Sequence, residues 1–310
     1  MKKICIATPV DYSNFGNRLQ NYAVHVICKR MNMESTTLAV EYSYILGFIP
    51  KHSILKIIDS LHLSKLFSKI SKLKSINKSY ASWKFTCSEI NTVYIKNPRI
   101  FNRIINDFDY YGIGGDQILS PYWRQVIPFA TFAGCDAEKK ICFSPSFGSD
   151  ILPSDYTDEI MKELAHINHI AIREQSGVEI IAKQIDKKAI RICDPVVMLT
   201  REEWISVAEK TDSEYNYRKA LVYFLGEDCI EYQEYIAKDA DKNLCKLIDI
   251  SRNSKSKESA CDPFDFISLI NQSECLYTDS FHAVMLAIIL NKRVVIFQRK
   301  GGETMNTRIH

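Results

Sequence analysis

Apolar residues follow two rhythms along this chain. Short apolar runs predict strands at Ile4–Thr8, Thr37–Val40, Asp109–Ile113, Ile141–Phe143, His169–Arg173, Leu221–Leu225, Lys246–Ile250, Cys275–Thr278 and Val294–Phe297. Between them the period lengthens to that of a helix. Leu19, Tyr22, Ala23, Val26 and Ile27 share one face, and 158–168, 176–185, 229–240 and 279–290 repeat the pattern. Strands alternating with helices over most of a chain predict an α/β fold, parallel sheets with helices on both faces. From Glu202 the chain reads as a helix, then as the polar stretch TDSEYNYRK, before the alternation restarts at ALVYFLG. That break predicts a boundary near residue 205, dividing the chain into 1–205 and 206–310. The second domain is short, and the closing MNTRIH reads as a helix that stops abruptly, so a truncated C-terminal domain is expected.

The length of 310 residues agrees with two domains at about 100–200 residues each. With 46% hydrophobic and 25% charged residues, the chain can build a sizeable core and is not expected to be disordered. A net charge of +3 gives no whole-surface attraction for nucleic acid. The ten cysteines form no C-x-x-C pair, which excludes the usual zinc spacing. Several lie in apolar runs such as KICIAT and KICFS and read as core filler. After Lys2 and Lys3 the apolar run breaks at Asp11, too early for a signal peptide. Ala283–Leu290 falls far short of the ~20 residues that span a bilayer. A reduced, cytoplasmic protein is expected.

Candidate chemistry gathers where strands end. Only 11 glycines occur, and Gly16, Gly114, Gly115, Gly148 and Gly226 each follow a predicted strand closely. In open α/β sheets ligands bind beyond the carboxyl ends of strands, where backbone must turn tightly. In SNFGNRLQNYA, Asn14 can cap and Gly16 can turn the chain into a helix whose free N–H groups suit an anion or a sugar hydroxyl. GIGGDQI carries Asp116 and Gln117 but neither a dinucleotide fingerprint nor a Walker loop. Asp116 is either a general base or hydroxyl acceptor, or the cap of the next turn. FSPSFGSD, with Ser146 and Gly148, is a small polar loop after a strand. IAIREQSG sets Arg173 and Glu174 at a strand end, where the arginine binds a carboxylate or phosphate, or forms a structural salt bridge. In LYTDSFHAVMLAIIL, Asp279 or Ser280 caps a helix apolar enough to be buried, and His282 lies in its first turn, facing the positive end of the helix dipole. VVIFQRK then delivers Arg299. Arg173, His282 and Arg299 are expected to converge on a small, doubly charged anion. No G-x-S-x-G elbow and no Cys–His arrangement supports nucleophilic catalysis.

One segment stands apart in charge. From Pro50 to Lys84 there are eight lysines, one acid (Asp59) and no arginine, a charge of +7, leaving −4 for the rest. Leu63, Leu66, Phe67, Ile70 and Leu73 form an apolar stripe at helical spacing. Such a basic amphipathic helix either packs on its domain with its lysines solvated or lies on an anionic membrane surface.

Taken in order, NFGNRLQNYA, GIGGDQILSPYW, FSPSFG, IAIREQSGVEII, CDPVVML, DPFDFISLI, TDSFHAVMLAIILNKRVVIFQR and MNTRI resemble the polysaccharide pyruvyl transferase family. The resemblance covers nearly the whole chain, residues 45–105 fitting least well. One departure is TDSFHA, where the family typically reads S-F-H-G, so that Ala283 replaces a glycine at the helix start. The resemblance implies two Rossmann-like domains arranged as in GT-B glycosyltransferases, with the site in the cleft between them and a helical Lys-rich insert at about 45–105 of the first. It implies transfer of the enolpyruvyl unit of phosphoenolpyruvate onto two hydroxyls of a sugar, forming a pyruvate ketal and releasing phosphate. The expected acceptor is a galactose-type residue of a surface polysaccharide (exopolysaccharide or capsule) or its lipid-linked precursor. No cofactor or metal is demanded beyond phosphoenolpyruvate as donor, and no nucleic acid is expected as partner. His282, Asp116 and Arg173 are the expected catalytic residues. Asn14, Gly16, Asn17, Gln20, Gly115, Gln117, Ser146, Gly148, Glu174, Ser280 and Arg299 are expected to bind substrate. The competing expectations are a nucleotide-sugar glycosyltransferase of the same architecture and a non-catalytic sugar- or anion-binding subunit of polysaccharide assembly.

Overall fold

A computed structural model describes residues 1–40, 51–60, 74–95, 98–209, 217–251, 254, 256 and 261–301. The apolar stripe Leu63–Leu73 and the closing MNTRIH lie outside them. In chain order the main elements are β1 Lys2–Thr8, α1 Phe15–Arg30, β2 Met33–Val40, α2 Lys51–Ser60, α3 Lys74–Glu89, β3 Thr92–Ile95, α4 Pro98–Ile104, β4 Tyr110–Gly114, α5 Ile127–Ala130 and β5 Lys140–Phe143. They continue as α6 Ser154–Ala165, β6 Ile170–Ile172, α7 Gln175–Ile185, β7 Ala189–Arg191, α8 Arg201–Ala208, β8 Lys219–Tyr223, α9 Ile230–Lys242, β9 Lys246–Asp249, α10 Pro263–Gln272, β10 Cys275–Thr278, α11 Phe281–Ile289 and β11 Arg293–Ile296.

Two compact units emerge, each drawn from three stretches of chain. The first comprises Met1–Val10, Gln20–Ile54 and Thr86–Met198; the second comprises Asp11–Leu19, Leu55–Phe85 and Leu199–His310. Residues 11–19, and with them the first turn of α1, thus belong to the second unit, as does much of the Lys-rich segment.

The first unit is built on a five-stranded sheet of order β3-β2-β1-β4-β5, every pair parallel. Central strand β1 is buried from Ile4 onward, as a parallel strand covered on both faces must be. Its core joins Cys5, Ala7, Leu38, Ile113 and Phe147 to Tyr156, Ile160 and Leu164 of α6. A separate parallel pair, β6-β7, completes the unit. Strand order reverses between β1 and β4, so the carboxyl ends of these two strands form the switch point, the place where open α/β sheets generally receive ligands.

The second unit holds a four-stranded parallel sheet of order β11-β10-β8-β9. Its switch point lies between β8 and β10. Local chemistry fixes the helix ends. Asn14 accepts the N–H of Asn17 at the start of α1, and Lys29 and Arg30 complement the dipole at its far end. The carboxylate of Asp262 accepts from Phe264 and Asp265 in a capping box that starts α10, with Pro263 in its first turn. Among the described residues no helix is long and apolar enough to cross a membrane.

Candidate functional site

At the switch point of the first unit the chain passes from β4 through Gly115 into Asp116, which adopts a left-handed backbone (φ 57°). A second left-handed residue, Ser144 (φ 56°), ends β5 beside it. Asparagine and aspartate tolerate this region better than other residues with a Cβ, and such conformations concentrate at functional sites. Gln20 reaches the same place from α1. It is fully buried, its amide donates to Thr8 Oγ1 (2.8 Å), and its Oε1 has no hydrogen-bond partner among the described residues. A Cβ at Gly115 would lie 2.7 Å from Gln20 Cδ, so only glycine admits this amide.

Arg173, at the end of β6, is buried beside Asp116. Its guanidinium donates to Asp194 (2.7 Å) and stands 3.7 Å from Asp116 Oδ1. Burial works against the arginine's charge, but Asp194, Asp116 and Glu174 outweigh it and leave its pKa raised. Glu174 receives the N–H of Phe147 (2.6 Å) on one carboxylate oxygen, and its other oxygen has no partner among the described residues. Ser146 Oγ accepts from Gly148 N, and Gly148 (φ 74°) packs on the Gln117 side chain. The unit therefore gathers three carboxylates around one arginine.

The switch point of the second unit has the opposite character. Asp279, at the end of β10, accepts the N–H groups of Leu225 and Gly226 (both 2.8 Å) and holds Arg299 (Nε 3.4 Å; Nη2 to the Asp279 carbonyl, 3.1 Å). It does not cap α11, because its two oxygens are committed to the β8 loop and to Arg299. Ser280 occupies the N-cap position without a side-chain cap bond, and its buried Oγ has no hydrogen-bond partner among the described residues. The N-terminus of a nine-residue helix and a hydroxyl with no partner among the described residues thus meet at one spot. His282 is buried in the first turn. Gly16 lies against it so closely that a Cβ there would be 2.7 Å from both Cγ and Nδ1 of the imidazole. Asn17 Oδ1 receives the fully buried guanidinium of Arg18 (2.7 Å) and the N–H of Asp11 (2.9 Å).

Arg173, His282 and Arg299, expected to meet, are drawn from both units. His282, Ser280, Arg299, Asn14, Gly16 and Asn17 belong to the second unit; Arg173, Asp116, Glu174, Gln20, Gly115, Gln117, Ser146 and Gly148 belong to the first. Arg173 is bound by Asp194 and Asp116, and Arg299 by Asp279, so both arginines also serve structural ion pairs. Sequence reasoning did not single out Asp194, took Asp279 only as a candidate helix cap, and missed Arg18 and the buried Lys78. The apolar runs ending in CDP and YTD carried the first two signals.

Two Rossmann-like units, each with buried polar side chains at its switch point, define an α/β, GT-B-like architecture. Residues 14–301 match the family described as polysaccharide pyruvyl transferase, and the chain belongs to that family. It is accordingly a transferase. No protein of curated function matches it in sequence. Among solved structures it is similar to UDP-GlcNAc 2-epimerase from Neisseria meningitidis bound to UDP-GlcNAc, with TM-score 0.50, 11% identity, and 95% of this chain and 82% of that one covered. It is also similar to a glycosyltransferase from Streptomyces sp. SF2575 (TM-score 0.41, 9% identity, covering 99% and 84%). A heptosyltransferase from E. coli with ADP is a third match (TM-score 0.41, 9% identity, covering 95% and 86%). These likenesses concern the GT-B-like fold alone.

Proposed function

We propose that the protein transfers the enolpyruvyl group of phosphoenolpyruvate to two hydroxyls of a sugar, a galactose-type residue of a surface polysaccharide or of its lipid-linked precursor. The observation that carries this reading is the start of α11, where the positive end of the helix dipole, a Ser280 Oγ with no partner among the described residues, and His282 come together in the second unit. Such an end receives an anion, and phosphoenolpyruvate carries both a phosphate and a carboxylate. The first unit offers carboxylates, which suit a neutral polyol and the removal of its protons.

In the reaction one sugar oxygen attacks C2 of the donor while its methylene carbon takes up a proton. The second sugar oxygen then replaces phosphate at the same carbon, and its proton leaves with the phosphate. Asp116 is assigned the acceptance of a hydroxyl proton. His282 is assigned to holding the donor or protonating its methylene, and Ser280 with the helix end to holding phosphate. Gln20 Oε1 and Glu174 Oε2, both buried and without a partner among the described residues, suit sugar hydroxyls. Phosphate release from phosphoenolpyruvate, measured against a panel of glycosides with galactosides first, tests the reading. His282→Ala is expected to abolish release in a folded protein; a near-normal rate refutes the assignment. Saturable nucleotide-diphosphate binding without phosphoenolpyruvate binding would instead favour a nucleotide-sugar glycosyltransferase. Sugar binding with no phosphate release would favour a non-catalytic subunit.

Peripheral contact with an anionic membrane is part of the same proposal. It is supported by exposed Ile54 and Ile57 flanking exposed Lys56 on α2, in a segment of charge +7.

A further inference from the structure

Lysines of a basic amphipathic segment are expected on its solvated face. Lys78, on α3, is instead 2% exposed. Its Nζ donates to the carbonyl of Ile250 (3.0 Å) just past β9, and lies 4.3 Å from the ring centroid of Phe15 and 4.8 Å from that of Tyr223. Those two rings stack at 5.6 Å, and both pack on Phe266 at 4.9 and 4.7 Å. Tyr223 Oη accepts the N–H of Phe15, one of the donors that the start of α1 leaves free (3.3 Å). Gly16, the next residue, is the one pressed on the His282 ring. All of these residues lie in the second unit. A chain of contacts thus runs from the inserted ammonium through an aromatic cluster to the first turn of α1 and on to His282.

A buried ammonium needs a reason. The Ile250 carbonyl and two ring faces are among the groups that offset its desolvation, but an apolar side chain of the same length would fill the space without that cost. We propose that Lys78 is a positioning residue of the donor site: it holds the first turn of α1 against His282 and adds positive charge to the end of the unit that receives the anion. The described helix α3 is then a working part of the second unit. This inference rests on the reading of the α11 end as the donor site, and its test separates the two.

The test uses the full chain with Lys78→Met, Lys78→Gln, Lys78→Arg and Lys84→Met. Lys84 is the control, since it lies on the same helix, is exposed and pairs with Asp59 (3.1 Å). Phosphate release is measured with phosphoenolpyruvate varied at saturating acceptor, and phosphoenolpyruvate binding by calorimetry. K78M and K78Q are expected to raise KM and Kd for phosphoenolpyruvate about tenfold, a typical worth for a desolvated cation–π contact, and to change kcat less than twofold. K78R is expected to recover to within about threefold, and K84M to match the wild type. Normal KM and Kd in whichever of K78M and K78Q folds would overturn the proposal while leaving the donor reading intact. If the wild type neither binds phosphoenolpyruvate nor releases phosphate, the donor reading fails. The positioning role is then read from the His282 ring resonance, identified by its loss in His282→Asn. K78M or K78Q should move that resonance and K84M should not; an unmoved resonance overturns the proposal.

Discussion

Replacing Gly16 by alanine adds a single methyl group and tests the closest contact of the candidate donor site. The new Cβ would stand 2.7 Å from Cγ and Nδ1 of His282, where ordinary carbon contacts lie at about 3.5–4.0 Å. The ring or the first turn of α1 must therefore give way by about 1 Å. Neither has slack: His282 is 4% exposed at the start of a buried helix, and Phe15 is locked between Tyr223 and Phe266. Overpacking of this kind costs about 1–3 kcal/mol, and the better helix propensity of alanine offsets about 1 kcal/mol. The expected net loss of stability is thus at most about 2 kcal/mol, so the variant folds. Misplacing a catalytic group by about 1 Å costs on the order of a hundredfold in rate. Urea unfolding and phosphate-release kinetics on the same preparation give both numbers. An enzyme with wild-type kcat would show that His282 does not act from the position the structure gives it, and the assignment would fall.

Arg173→Met is expected to lower stability by about 3–5 kcal/mol, because it leaves Asp194 and Asp116 buried without their cation; chemical denaturation measures it, and a loss below about 1 kcal/mol would contradict the pairing. Lys219, buried at the start of β8 with its ammonium on Gln272 (2.8 Å), has its pKa pushed down to about 8 by burial. An unfolded lysine titrates near 10.4, so between about pH 8 and 10.4 the unfolded chain holds the proton that the folded one has released, and stability rises with pH. Below about pH 8 the full penalty applies. Lys219→Met is therefore expected to be more stable than wild type by about 1–2 kcal/mol at pH 7, after loss of the hydrogen bond, with the advantage gone near pH 10.5. Urea melts across that range check both the sign and the slope.

Much of the scaffold could be read from the sequence because long parallel strands and their helices write strong periods. β1, β10 and the helices α1, α7 and α9 stand close to where the pattern predicts them. β3 and β7 were missed because, unlike the equally short but fully buried β10 and β6, they are mostly part-exposed or exposed and stand out little from loop. The capping role of Asn14 was legible, since a cap acts within one turn. Partner choice was not. Asp279 looks like a helix cap in sequence, and only the fold shows its carboxylate turned to Leu225, Gly226 and Arg299. Asp194 likewise gains its meaning from β6 lying beside β7, which brings Arg173 to it. The discontinuous second unit was hidden for the same reason, as residues 11–19 and 55–85 join it through contacts made far along the chain.

The lysines of the segment 50–84 do not act alike, and this decides how membrane contact can be tested. Lys78 points into the second unit and Lys84 is paired with Asp59, whereas Lys56 is exposed between exposed Ile54 and Ile57. Deleting the whole segment would remove Lys78 together with the exposed face, so a loss of membrane binding would not be distinguishable from damage to the unit. Ile54→Ser with Ile57→Ser removes only the exposed apolar pair of α2, leaving buried Leu55 and Ile58 in place. Burying two isoleucine side chains in a membrane surface contributes about 1.5–3 kcal/mol each at full burial, so even half of that amounts to a tenfold or greater loss of partitioning. Co-sedimentation with vesicles containing anionic lipid is expected to fall by at least that factor, while phosphate release toward a soluble acceptor stays unchanged. Equal sedimentation of the variant and the wild type would exclude this face of α2 as the membrane contact and leave the donor site untouched.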